Sequence, residues 1–196
     1  SSTSRGLGDV YKRQLFIDDT PAINMATLAS RARRIKRKHG LGIIIIDYLQ
    51  LLRPAKGNRN DGRVQEVSEI TQGLKALAKE MNIPILALSQ LSRQVEQRDD
   101  KKPQLSDLRE SGSIEQDSDV VMFIFREEYY LEKAAPTPGT ADYIEWQQKM
   151  DEVHGQAELL ISKQRHGPTG NIRLSFESKF TRFGNYVSNE QIKDYD

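Results

Sequence analysis

The 196-residue sequence contains no cysteine at all. That absence excludes a disulfide scaffold and any thiolate metal site, and it fits a reducing cytoplasm. No apolar run approaches the roughly 18 residues that a membrane-spanning helix needs. The longest, Val120 to Phe125, and the run Ile43 to Ile46 are each the length of a strand core. Charge of one sign is missing too: 29 Lys and Arg stand against 28 Asp and Glu, a formal net charge of +1. This balance argues against a basic nucleic-acid-binding tail, although it leaves local patches open. There is no internal repeat and no low-complexity tract. What is present is an ordinary globular composition, 37% hydrophobic and 29% charged, long enough to bury a real core.

The first fourteen residues, Ser1 to Gln14, differ in character from the rest of the chain. They show no periodicity, no helix cap and no apolar face, and they lack the apolar region of a signal peptide. They read as a cloning or sequence-assembly scar, so that the native reading begins near Leu15, in the middle of a domain. Residues 15–187 then form a partial domain, and 188–196 a C-terminal tail.

Thr20 before Pro21 predicts a helix start, with Thr20 as N-cap and Pro21 at the first helical position. His39-Gly40 ends that helix. Ile43 to Ile46, closed by Asp47, is a continuous β-branched run, the pattern of a strand buried on both faces of a parallel sheet. Val64, Val67, Ile70, Leu74, Leu77, Ala78 and Met81 recur at spacings of three and four, which predicts an amphipathic helix over 63–81. Pro84 to Ser89 and Asp119 to Phe125 read as further buried strands. Strand, helix, strand in this order implies right-handed crossovers and a mostly parallel α/β sheet flanked by helices. The polar stretch 127–155 is an excursion with a helix around 142–153. Ala157 to Ser162 and Ile172 to Phe176, joined by turn residues 165–170, predict an antiparallel hairpin, with a last short strand over 180–183.

Four stretches carry candidate chemistry. In open α/β sheets ligands sit beyond the carboxyl ends of the strands, so Asp47 projects toward such a crevice. A carboxylate there can hold the magnesium of a bound nucleotide; the bland alternative is an aspartate that ends a strand. Gln90 closes the next strand, and its amide can bridge a terminal phosphate to water, or be satisfied by nearby backbone. In Ser106 to Asp117, Gly112 between two serines permits close backbone approach to a phosphate, and Arg109 supplies a fixed cation. The four acidic residues there count against a purely electrostatic contact. Lys163 and Arg165, two apart in a strand, point to one side at a hairpin, where they either meet solvent or neutralise charge on a phosphate across a subunit boundary.

Taken in order, Ile45-Ile46-Asp47-Tyr48-Leu49-Gln50-Leu51-Leu52, Leu86-Ala87-Leu88-Ser89-Gln90-Leu91-Ser92-Arg93, Asp107-Leu108-Arg109-Glu110-Ser111-Gly112-Ser113-Ile114-Glu115-Gln116-Asp117 and Lys163-Gln164-Arg165-His166-Gly167-Pro168-Thr169-Gly170 resemble the motor motifs of DnaB-type hexameric helicases. The resemblance runs from Leu15 to about Tyr186. It implies a RecA-like fold and ATP-driven translocation on single-stranded DNA by a homohexameric ring. Asp47 then corresponds to the Walker B aspartate on Mg2+, and Gln90 to the glutamine that senses the γ-phosphate. Arg109, Glu110 and Gly112 fall where the family grips the phosphates of single-stranded DNA. Lys163 and Arg165 fall where it places a lysine and an arginine finger acting on the next subunit's ATP. Primase and a helicase loader are the implied partners, and a bacterial or phage replisome the implied setting. The alternatives are a RecA- or KaiC-like ATPase, for which the Asp107–Gln116 stretch is not expected, and a stand-alone DNA-binding module.

Six cations between Arg31 and Lys38 read as a solvated face rather than a DNA contact. His39, His154 and His166 have no ligand-like spacing. Tyr129, Tyr130, Tyr143 and Trp146 read as packing residues of the excursion rather than base-stacking platforms.

One departure from the family's pattern stands out: the 196 residues contain no G-x-x-x-x-G-K-[ST]. By the resemblance, the phosphate-binding loop and the glutamate that activates water belong to sequence preceding Leu15. The polypeptide alone is therefore expected neither to bind ATP tightly nor to hydrolyse it. Measurable turnover by the purified chain in a coupled phosphate-release assay would contradict this.

Overall fold

The structure, a computed structural model, describes residues 14–54, 62–108 and 112–187. Most of the leading stretch, the 188–196 tail, and Arg109 and Glu110 lie outside the described residues.

The first helix, α1, spans Met25–His39. Its N-cap is Asn24, whose side chain accepts the Thr27 N–H at 2.8 Å. The predicted start at Thr20-Pro21 is thus corrected. Those residues lead into a turn, and Ala22 has a positive φ of 52°. The chain therefore reverses before the Asn24 side chain takes over the capping. Gly40 ends the helix with φ 77°, a conformation that favours glycine.

Strand β1 (Ile44–Ile46) lies parallel to β2 (Ile85–Ala87), with Ile44 opposite Ile85 and Ile46 opposite Ala87. Between them runs α2, Arg63–Met81, with the bounds that the apolar spacing predicts. Asn82 closes it in the left-handed conformation, its N–H bonded to the carbonyls of Ala78 and Lys79. Val67, Ile70, Leu74, Leu77 and Met81 are buried on one stripe, and Ile70 is fully enclosed. Ile70, Leu74, Leu77 and Met81 pack with Ile44, Ile46, Leu49, Leu52, Met25 and Ala32 into the first core. Burying a side chain of this size contributes about 1.5–3 kcal/mol, so this stripe is what holds the parallel pair to its helix. Ile45 is 59% exposed. The expectation of a strand covered on both faces therefore holds on one face only; among the described residues no second layer packs against Ile45 and Leu86.

Helix α3 is short, Gly112–Asp117, and leads into β3, Val120–Phe125. Strand β3 alternates buried and exposed side chains and pairs antiparallel with β4, Gln156–Gln164. Strands β5 (Gly170–Glu177) and β6 (Arg182–Asn185) complete a four-stranded sheet in the order β3-β4-β5-β6. The predicted hairpin is β4–β5, longer than expected at both ends. Among the described residues, parallel pairing between strands is confined to β1 and β2. A second core of Leu108, Val121, Phe123, Phe125 and Leu160 lies against this sheet, and Ile114 of α3 packs on both cores.

The excursion holds two helices, α4 (Glu127–Lys133), which the periodicity does not reveal, and α5 (Ala141–Val153). Trp146 donates its indole N–H to the Leu131 carbonyl at 2.8 Å and lies against the Tyr143 ring, as packing residues do. On α1, Arg31 pairs with Asp18, Arg33 with Glu80, and Lys36 reaches the Met81 carbonyl, so half of the basic run is structural. Among the described residues no cluster of three or more acidic or histidine side chains could hold a metal, and no helix is long and apolar enough to cross a membrane.

The excursion is fastened by Glu128, whose buried carboxylate accepts from Arg126 (3.1 Å) and the Gly155 N–H (3.4 Å) and meets His154 Nδ1 at 2.7 Å. Burial alone would push this carboxyl up. Hydrogen bonds from Arg126, Gly155 and His154 outweigh it and hold the pKa below the usual glutamate value. A depressed carboxylate stabilises the fold above its unfolded pKa, and the contribution vanishes as pH falls through the folded value. Glu128→Gln is expected to cost about 3 kcal/mol in urea unfolding at neutral pH and to flatten the acid limb below about pH 4. An unaltered acid limb would contradict the clamp.

Candidate nucleotide and nucleic-acid site

The parallel pairing of β1 and β2 brings two of the sequence-predicted residues to one edge. The Leu88 N–H donates to the Ile46 carbonyl (2.9 Å) and the Leu49 N–H to the Leu88 carbonyl (2.8 Å). Asp47 and Gln90 therefore leave adjacent strands at their carboxyl ends, where α/β sheets hold ligands. Asp47 is exposed, and its carboxylate meets no hydrogen-bond or ion-pair partner among the described residues. The Asp47–Tyr48 peptide is cis.

Gln90 is exposed at its side chain and held at its main chain. The Gln50 Oε1 accepts the Gln90 N–H at 3.3 Å, and the Gln50 Nε2 donates to the Ser89 hydroxyl at 3.0 Å. The carbonyl of Gln50 in turn accepts from the Arg63 guanidinium at 2.8 Å, tying this edge to the start of α2. Gln90 also lines a cleft of about 670 Å3 bounded by Val67, Ser92, Leu108 and Ile114. Asp47 does not line it; the cleft lies on the side of Gln90 facing α3.

Lys163 and Arg165 sit on the other sheet. The register of β4 against β3 slips between Val121, opposite Lys163, and Met122, opposite Ile161. Ser162 is the extra residue of this bulge, and bulges re-aim the side chains beside them. Lys163 lies in β4 but Arg165 falls in the turn after it, which corrects the expectation of both in one strand. The two still reach the same helix end: Lys163 donates to the Glu115 carbonyl, and Arg165 to the Gln116 carbonyl at 2.7 Å. Both cations thus rest on the carboxyl end of α3, where the helix dipole favours positive charge. The Lys75 ammonium, with Arg165 and His166 adding to it, holds the Asp119 carboxyl below the usual aspartate value. Thr71 bonds Asp117 at 2.6 Å from the α2 side. Among the described residues, neither Lys163 nor Arg165 makes a hydrogen bond or ion pair to Asp47 or Gln90.

Gly112 opens α3, exposed, with nothing near the position a side chain would take. Arg109 and Glu110 fall outside the described residues. Sequence reasoning missed Gln50 as the clamp on Gln90 and Arg98 as the partner of Asp107, which it salt-bridges at 3.0 Å. Gln50 lies three residues after Asp47 in the same motif and was legible in principle. Arg98 stands in a charged run that reads as solvated surface.

A parallel strand pair with an acidic residue and a glutamine at its carboxyl ends, backed by α2 and continued by an antiparallel sheet, is the arrangement of a RecA-like motor domain. The chain belongs to the DnaB-like helicase C-terminal domain family, whose model matches residues 1–185. It is 60% identical over 172 residues to the replicative DNA helicase DnaB of Rickettsia typhi, covering 88% of this chain and 34% of that protein. Against the replicative DNA helicase DnaB of Geobacillus stearothermophilus the identity is 45% over 179 residues, 91% of this chain and 36% of that protein. The chain thus spans about a third of the length of these curated relatives. Among solved structures it is similar to a DnaB-like replicative helicase described with its interactions with primase. That match has a TM-score of 0.73 and 40% identity, over 87% of this chain and 38% of the other. The ATPase domain of G40P matches with a TM-score of 0.70 and 42% identity, over 84% and 52%.

Proposed function

We propose that this chain is the sensing, DNA-gripping and in-trans portion of an ATP-dependent replicative DNA helicase that translocates on single-stranded DNA as a homohexamer. The observation that carries the reading is the separation of its polar groups into two sets. Asp47 and Gln90 share the edge of the parallel pair, whereas Lys163 and Arg165 share the end of α3 and touch neither. One subunit's Asp47 and Gln90 would meet the next subunit's Lys163 and Arg165 around a single nucleotide, which head-to-tail contacts closing into a ring provide.

ATP with Mg2+ is the cofactor this arrangement suits. The free, exposed carboxylate of Asp47 fits a cation that takes one or two carboxylates and completes its shell with phosphates and water. Magnesium, when bound, would neutralise charge on the phosphates. Gln90, its main chain fixed by Gln50, would hold an amide donor and acceptor at the terminal phosphate. Lys163 and Arg165 would leave the α3 carbonyls to stabilise charge developing on the neighbour's γ-phosphate. The Arg109 guanidinium and the main-chain N–H groups of Glu110 and Gly112 would donate to phosphates of the single strand ahead of α3. Primase is a proposed partner, supported by the similar helicase described with it; a helicase loader and a replisome setting in the bacterial or phage cytoplasm are proposed from the resemblance alone. Membership of this family disfavours a RecA- or KaiC-like ATPase and a non-enzymatic module.

In the full-length protein, Arg165→Ala is expected to lower DNA-stimulated hydrolysis by about 10³-fold while nucleotide binding persists. Steady-state turnover with and without oligonucleotide, beside a fluorescent-nucleotide titration, reads both. Unchanged turnover would refute the finger role.

A further inference from the structure

Asp107 takes no part in the nucleotide chemistry, yet it is a charged side chain buried to 5% exposure. Its carboxylate accepts Arg98 through both oxygens, Nη1 to Oδ1 and Nη2 to Oδ2, each at 3.0 Å. Oδ2 also accepts the Gln104 N–H at 2.8 Å. Arg98 is itself fixed by the carbonyls of Asp100 (3.2 Å) and Lys102 (2.8 Å). The main chain of Asp107 makes the consequential bond: its carbonyl accepts the Ser92 N–H at 2.9 Å.

Ser92 lies two residues after Gln90, and Asp107 two residues before Arg109. One backbone hydrogen bond therefore joins the strand end that carries Gln90 to the turn that leads to Arg109. Gln50 fixes the same Ser89–Gln90 segment from the β1 side. Buried ion pairs of this kind are often replaceable by apolar residues without loss of stability, because desolvation offsets the attraction. What a bidentate fork supplies that an apolar contact does not is a fixed distance and orientation.

We infer that Asp107, oriented by Arg98, is a positioning residue that couples Gln90 to the DNA-gripping residues beyond it in the chain. This rests on the reading that Gln90 senses phosphate and that Arg109 to Gly112 hold DNA. A displacement of Gln90 on loss of the γ-phosphate moves Ser92, and through the Asp107 carbonyl it moves the turn 105–107. The Arg98 fork keeps that turn rigid, so the movement reaches Arg109 instead of being absorbed in the turn. Coupling of two sites needs a connected element whose arrangement both bias, and the Ser92–Asp107 hydrogen bond supplies the connection.

The test uses the full-length hexamer and a fluorescent oligo-dT. Its affinity is measured by anisotropy with ADP and with a non-hydrolysable ATP analogue, and the ratio of the two is the coupling. Couplings of this kind are on the order of 5–150-fold. Asp107→Asn, which removes the charge, and Arg98→Lys, which keeps charge but cannot fork, are both expected to bring the ratio within about twofold of unity. Basal turnover without DNA should stay at the unsubstituted level, a combination that general loosening of the fold would not give. Retention of the unsubstituted ratio in both variants overturns the inference; if Asp107→Asn does not fold, Arg98→Lys decides it alone. Arg109→Ala separates the two claims. If it abolishes oligo-dT binding while the Asp107 and Arg98 variants keep the ratio, only the coupling role is lost. If Arg109→Ala binds DNA normally, the DNA-gripping assignment fails and the inference falls with it.

Discussion

Three main-chain pairings between β1 and β2 carry the architecture of the candidate site. Because the two strands run parallel and in register, their carboxyl ends finish together, and the side chains beyond them are delivered to one edge. Nothing about Asp47 or Gln90 individually requires that neighbourhood. It is the parallel register, held from below by the buried stripe of α2, that places a free carboxylate beside a clamped glutamine. A slip of one residue would turn Ile44 and Ile46 outward and bury Ile45 instead, and the edge would lose its pair.

Around that edge the molecule uses polar contacts where apolar ones would leave too much freedom. Gln50 fastens the Gln90 main chain, Arg98 forks onto Asp107, and Thr71 and Lys75 reach Asp117 and Asp119 from α2. Helix α3 is the meeting point: Gly112 begins it, Ile114 touches both cores, and Lys163 and Arg165 rest on its last carbonyls. This short segment thus follows in sequence the stretch proposed to hold DNA, lines the cleft beside Gln90 through Ile114, and carries the cations proposed to act on a neighbouring subunit.

The parts legible in the sequence are those with a strong period or a rare residue order. Helix α2 is readable to both ends because its apolar residues share one face. The hairpin is readable because glycine and proline punctuate it. Asp47, Gln90, Lys163 and Arg165 are identifiable from motif order, and their placement at strand ends and on a common side follows from simple geometry. The start of α1 misleads because Thr20-Pro21 offers a strong local signal that the Asn24 side chain overrides by capping Thr27. Helix α4 is hidden by its length, since seven residues give barely two turns of periodicity. The exposed face of Ile45 is unreadable, because a run of four isoleucines looks the same whether one face or both are covered. Gln50, three residues after Asp47, lies within a legible motif, whereas Arg98 is hidden in a charged run and its contact with Asp107 leaves no pattern in the sequence.

The central claim is that nucleotide chemistry in the assembled protein is shared between subunits, with Asp47 on one side and Arg165 on the other. Mixing two full-length variants, Asp47→Asn and Arg165→Ala, tests this most directly. Each homohexamer alone should be inactive in DNA-stimulated hydrolysis. In mixed rings some interfaces combine an intact Asp47 from one subunit with an intact Arg165 from its neighbour, and turnover should reappear in proportion to the fraction of such interfaces. Mixed rings, verified as such by subunit exchange, that show no more activity than the separate variants would contradict the account.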